Sequence, residues 1–185
     1  INKASVSGSG DNFSTFSGRS NAARTSQGQC SFALFEGTSD YGEVLICDGA
    51  NKPFFFKMTG TGALADRTFF ASEITVDSTT APTVGVIHEN HFVVGGAPTA
   101  KNKIFFSSSL DPDSFSGSGA GSIQLTDSIV GLASFRSDLI IFCKNSIFKL
   151  INISDSDNIA IVPVTKNVGC LDGNSIQEIG GDLLF

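Results

Sequence analysis

The chain has 185 residues, with 12 Lys and Arg against 18 Asp and Glu, a formal net charge of −6 and a pI near 4.7. Charged residues make up 16% and hydrophobic residues 41%, which points to a packed core and excludes a disordered, highly charged chain. The acidic balance argues against a surface that grips nucleic acid, since phosphate neutralisation takes clustered Lys and Arg, and no apolar run reaches the roughly 18 residues of a membrane span.

Residues 1–30 are rich in Ser, Gly and Asn, with Phe13 and Phe16 as scattered apolar positions, and predict an extended lead-in. From residue 31 to 185 the texture changes to short apolar runs bounded by Gly, Asp, Asn, Pro and Ser. Such runs predict strands at Ser31–Glu36, Glu43–Cys47, Pro53–Met58, Thr68–Val76, Thr83–His88, His91–Gly95 and Lys103–Ser108. Further strands are predicted at Ser122–Leu125, Ile129–Phe135, Asp138–Lys144, Ser146–Ile151, Ile159–Thr165, Ser175–Ile179 and Asp182–Phe185. No window carries a 3.6-residue apolar stripe, so the chain is expected to be all-β. The 17 Phe, one Tyr and no Trp suggest that Phe fills the space between layers.

The strands repeat. Tyr41-GEVLICDGANKPFFFKM, Asn90-HFVVGGAPTAKNKIFFSSS and Ser137-DLIIFCKNSIFKLI each hold an apolar strand, a turn-rich link and a second apolar strand, and Gly181-DLLF starts a fourth copy. With Leu45, Val93, Ile141 and Leu184 as equivalent centres, the offsets are 48, 48 and 43 residues. Four strands per roughly 45 residues is the period of a β-propeller blade. The expected fold is therefore a partial β-propeller of about three and a half blades over residues 31–185, belonging to a larger protein. A β-sandwich is the competing arrangement. Blades are covered on both faces, so Leu45, Val93, Ile141, Phe142 and Phe148 are the expected blade core. In the Lys144-Asn145 turn, Asn145 is the residue expected to take a positive φ.

Candidate chemistry is sparse. His88-Glu-Asn-His91 could offer two metal ligands, but the repeat places Glu89 and Asn90 at a tight turn with the histidines as strand ends. Ser107-SSLDPDSFSGSGAGS lacks both the Lys-Ser/Thr of a phosphate loop and the ligand spacing of a calcium loop, so Asp111 and Asp113 read as turn residues. Cys30, Cys47, Cys143 and Cys170 show no CxxC spacing and are expected to be structural thiols of a reducing compartment. Asp40, Glu43, Asp66, Glu73, Asp138 and Glu178 fall at predicted turns or strand ends, and are expected to be solvated. There is no GxSxG string. No catalytic, cofactor or metal residues are expected, and the chain is not expected to be an enzyme.

From His91 to Phe185 the strings HFVVGGAP, NKIFFSSSLDPDSFS, GSIQLTDSIVGLASFRSDLIIFCKNSIFKL and VGCLDGNSIQEIGGDLLF occur in this order. In that order they resemble the β-propeller portions of tailed-bacteriophage virion proteins, of the tail nozzle (tail tubular protein B) type or the phage stabilisation (head-completion) type. The resemblance implies a structural tail protein, a nozzle or neck ring subunit of the conduit for genome ejection. It implies a homo-oligomeric ring such as a hexamer, other tail or neck proteins as partners, and genomic DNA passing through without sequence-specific binding. It further implies a place in the virion tail after assembly in the host cytoplasm. The alternative implication is a receptor- or glycan-binding propeller of a tail protein, with specificity on loops such as Asp111–Gly121.

Overall fold

The computed structural model describes residues 30–37, 42–59, 68–77 and 81–185; residues 1–29 of the expected lead-in lie outside them. The fold is all-β. The first sheet is β1 (Ser31–Phe35), β2 (Glu43–Cys47), β3 (Phe54–Thr59) and β4 (Thr68–Glu73). The second holds β5 (Val84–His88), β6 (His91–Ala97), β7 (Ala100–Phe106) and β8 (Gly121–Gln124). The third holds β9 (Ile129–Phe135), β10 (Asp138–Cys143), β11 (Ile147–Ile151) and β12 (Ala160–Thr165). A short 3-10 turn at Gly173–Ser175 leads into a hairpin of β13 (Gln177–Ile179) and β14 (Asp182–Leu184). Ser175 therefore belongs to that turn and not to the last predicted first strand. Its N–H reaches back to Asp172 O, and its hydroxyl donates to the same carbonyl at 2.6 Å, which winds the chain before the strand can start.

Every sheet is an antiparallel meander whose strands pair in chain order. The sheets follow one another in a stack, with first strand on first strand where β1 meets β5 and β5 meets β9. This is a propeller-like succession of four-stranded blades, and not two facing sheets with interleaved strands. The physical cause is visible on β6: Phe92 and Val94 pack among residues of the first sheet, while the intervening Val93 packs among residues of the third. Side chains alternate along a strand, so an uninterrupted apolar run supplies both faces at once. On β10, Leu139, Ile141 and Cys143 face the second sheet, and Ile140 and Phe142 face the closing hairpin.

That alternation corrects the predicted equivalence. The pairs that close the hairpins are Phe35↔Glu43, His88↔His91, Phe135↔Asp138 and Ile179↔Asp182. Two residues beyond each closing pair lie Leu45, Val93, Ile140 and Leu184. Leu45 and Val93 both look towards the following sheet, whereas Ile141 looks towards the preceding one. Ile140, one residue earlier, is the register equivalent. A slip of one residue turns a side chain to the other face, and a match of apolar letters cannot detect it.

Turns carry their own chemistry. Glu89 and Asn90 have φ of 45° and 64°, the left-handed pair that a two-residue hairpin turn requires. The Lys144-Asn145 turn is built differently from expectation, since Asn145 is not among the described residues with positive φ. The Asp127 carboxylate ties it instead, accepting from Asn145 N–H and Ser146 Oγ at 2.8 Å each. In the HFVVGGAP string, Gly96 has φ +70° where the β6–β7 register shifts, and its carbonyl accepts from Thr83 Oγ1 at 3.1 Å. An L side chain there would be strained, which explains the glycine.

Candidate functional site

The first strands β1, β5 and β9 and the segment leading to β13 border one concave groove of about 720 Å³. Phe32, Val84, Gly85, Gly131 and Leu132 supply its strand walls. Two of those glycines are there because a neighbour is. A Cβ on Gly131 would run into the Ile176 side chain, and one on Gly85 would lie 2.8 Å from the Phe92 ring and 3.0 Å from Cys47 Sγ.

Among the described residues, the charges of the groove are carboxylates. Asp48 accepts from Ala50 N–H (3.1 Å), Asn51 N–H (2.8 Å) and Asn51 Nδ2 (2.8 Å). Asp172 accepts from Asn174 N–H (3.0 Å) and Asn174 Nδ2 (2.9 Å). Both are Asx-type turns in which a short acid folds its own loop, and both are placed on the groove wall. Among the described residues lining the groove there is no Lys, Arg or His. Sequence reasoning missed these two acids. The available signal was a Cys followed by Asp-Gly and then Asn, present in Cys47-DGAN and again in Cys170-LDGN.

The two histidines do not face this groove. Both are buried, His88 at 3% and His91 at 1% exposure, at the seam of the second and third sheets. His88 Nδ1 lies 2.9 Å from Ser134 Oγ on β9. His91 Nδ1 is 2.6 Å from the Ser107 carbonyl, which can only accept, so that nitrogen carries a proton. Ser154 Oγ donates to Glu89 Oε2 at 3.1 Å and lies 3.5 Å from His91 Nε2. Burial pushes the His88 pKa down, against the opposing pull of Glu89 and Asp138, while His91 adds to the depression. The cluster fastens the tight turn of one sheet to its neighbour.

The base of the Asp111–Gly121 loop is tied to the second sheet. Ser108 N–H reaches Ser114 O at 2.8 Å, Leu110 N–H reaches Asn90 O at 2.9 Å, and Phe115 sets its ring edge-on to Phe92 at 6.2 Å. At the start of the loop the exposed Asp111 carboxyl is pushed up, first by its hydrogen bond with Asp113, then by burial and by the Asp113 and Glu43 charges.

Of the expected blade core, Leu45, Val93 and Ile141 are fully buried, Phe142 is 1% exposed and Phe148 8%. Leu45 belongs to the seam of the first and second sheets, Val93, Ile141 and Phe148 to the next seam, and Phe142 to the seam with the hairpin. Glu43 departs from the solvated role expected of it. It is buried and pairs across the strands with Lys57 at 3.2 Å. Asp138 does the same with Lys149 at 3.0 Å, in a more exposed setting; Asp40 and Asp66 lie outside the described residues. No disulfide joins the four cysteines among the described residues, and burial pushes Cys143 up to about 12, so it packs as an apolar group and not as a nucleophile.

No protein family, no curated protein and no solved structure matches this chain.

Proposed function

We propose that this chain is a structural module of a bacteriophage tail, a propeller-like part of the conduit through which the genome leaves the particle, and not an enzyme. The observation that carries the reading is the groove, where successive first strands converge on a wall whose charged members, among the described residues, are Asp48 and Asp172. A wall of carboxylates and apolar groups repels phosphates and lets a duplex slide, whereas Lys and Arg would hold it. The order of the blade elements from His91 to Phe185, with its likeness to tail propellers, supplies the biological setting. The loop at Asp111–Gly121 supports the glycan-binding alternative less well, because its base is spent on packing against its own sheet.

The test is placement and passage. Cryo-electron microscopy of particles containing the protein is expected to show it around the tail axis with β1, β5 and β9 inward. Pro98→Arg together with Gln177→Arg adds cations at exposed groove positions. Particles carrying both are expected to assemble normally and to eject DNA more slowly, with the delay shrinking at high salt. A position at the particle periphery, specific binding of host polysaccharide, or turnover abolished by a single Asp substitution would replace this reading.

A further inference from the structure

Among the described residues, Ser108 Oγ is the buried side-chain oxygen without a hydrogen-bond partner, on a residue only 8% exposed. A buried hydroxyl in that state calls for a ligand, water or an ion. Ser108 and Asp111 form an isolated antiparallel bridge across the turn Ser109-Leu110, where Leu110 takes φ 61°. Directly opposed residues of an antiparallel pair project from one face, with Cβ atoms about 4.5–5.5 Å apart. The Ser108 hydroxyl and the Asp111 carboxyl are therefore neighbours. The chain then folds back over them: Ser114 N–H donates to Asp111 O at 3.2 Å, and Ser108 N–H donates to Ser114 O at 2.8 Å. Gly117 closes the ring, since a Cβ there would lie 2.5 Å from Ser108 Oγ and 3.0 Å from Ser114 Oγ. Asp113 lies inside this turn, and its carboxyl hydrogen-bonds to that of Asp111.

We propose that this turn binds a calcium ion through the Asp111 and Asp113 carboxylates and the Ser108 hydroxyl. The donors are all oxygen, which selects a hard cation over zinc or copper. Calcium accepts irregular shells of six to eight oxygens, with backbone carbonyls and water completing them, whereas magnesium demands a near-ideal octahedron and gives up its water reluctantly. A loop of Ser and Gly suits the first and not the second. The electrostatics agree. Asp113, burial and the Glu43 charge all favour a proton on Asp111, and Lys57 opposes them. A divalent ion relieves the same repulsion with two charges in place of one, and displaces that proton. The ligands come from the two sides of a turn and not from a run of alternating acids, so the linear spacing of a calcium loop is absent from the sequence. The inference is independent of the tail assignment, which neither requires the ion nor excludes it.

The experiment is isothermal titration of the whole chain with calcium chloride after chelation and buffer exchange, with circular dichroism to show that each variant is folded. Wild type is expected to bind one ion per chain and to melt at a higher temperature with calcium than without it. Asp111→Asn and Asp113→Asn are each expected to weaken binding about tenfold or more, since affinity follows the charge of the ligands. Ser108→Ala is expected to weaken it measurably. Asp157→Asn, at an exposed carboxylate of the loop after β11, is expected to leave it unchanged. No heat at millimolar calcium overturns the proposal. So does affinity that survives Asp111→Asn, or that is lost equally in Asp157→Asn, the signature of a diffuse ion atmosphere. Affinity untouched by Ser108→Ala also overturns it, because the hydroxyl is then merely enclosed.

Discussion

Two nearly identical strings sit in opposite environments. Asp138-LIIF on β10 and Asp182-LLF on β14 both open the second strand of a meander. In the first, Leu139 and Ile141 are fully buried and Phe142 is 1% exposed; in the second, Leu184 is 55% and Phe185 51% exposed. The difference is not in the residues. β10 has β9 and β11 beside it, the second sheet on one face and the hairpin on the other, whereas β14 has one paired strand and one covered face. Apolar character in this chain marks a capacity for being covered, and the neighbour decides whether the capacity is used.

The sharpest way to break that comparison is truncation at equivalent depths. Phe142→Ala removes a buried ring that also meets Phe185 at 5.0 Å, and is expected to cost about 3–5 kcal/mol, whereas Leu184→Ala at the open end is expected to cost under about 0.5 kcal/mol. Urea midpoints measure both, and equal values would mean that the seam does not hold the stack.

Gly131→Ala is the next in size. Its new Cβ meets Ile176 and lies 3.2 Å from Gly173 Cα at the seam with the hairpin segment, and the overpacking is expected to cost roughly 1–3 kcal/mol. The matching change at the open end, Gly180→Ala, meets nothing within 4 Å but sits at φ +62°, and left-handed backbone costs an L residue roughly 1–2 kcal/mol. Hydrogen-exchange protection should fall on both sides of the β9 seam in the first variant, and only within the β13–β14 hairpin in the second.

A smaller effect is expected at the turn. Burial raises the Asp127 pKa, but hydrogen bonds from Asn145 N–H, Ser146 Oγ and Ser128 N–H outweigh it and hold the carboxyl below its ordinary value. Asp127→Ala is expected to cost about 1–2 kcal/mol, as the loss of a cap does. The contribution of Asp127 is present above the unfolded carboxyl pKa and is lost as pH falls through the depressed folded one. Stability that does not change in Asp127→Ala would show that water replaces the carboxylate.

The last effect sharpens the seam of the second and third sheets. His88 has a folded pKa below its ordinary value of 6.5, so the unfolded chain takes the proton first. Its neutral ring supports the fold above pH of about 6.5, and that support is lost progressively as pH falls below it. Replacing His88 with Gln is expected to flatten the fall of the urea midpoint between neutral and mildly acid pH. An unchanged slope would assign the acid sensitivity to the carboxylates.

Strand positions, the meander order and the Glu89-Asn90 turn were legible because each is a local matter. Uninterrupted runs such as VLIC, FVV and LIIF announced two covered faces, and Asp, Gly and Asn punctuated them. The groove acids were written in the same alphabet, as Asp48-Gly49 and Asp172-Gly173, yet read only as turns. What makes them a site is the convergence of β1, β5 and β9, residues that the sequence holds some 50 positions apart.

The sequence by itself determined that this chain forms strands, where they turn, and that the pattern recurs, since propensity and turn chemistry act over a few neighbours. Only the tertiary structure decided which face each residue takes. Ile140, and not Ile141, is the register equivalent of Val93, because one residue of hairpin closure reverses a whole strand. Only the tertiary structure buried Glu43 beside Lys57, sealed His88 and His91 into a seam, and left Phe32, Leu34, Ile179 and Leu184 bare. Burial is a property of pairs of surfaces, and the second surface of each pair lies far along the chain.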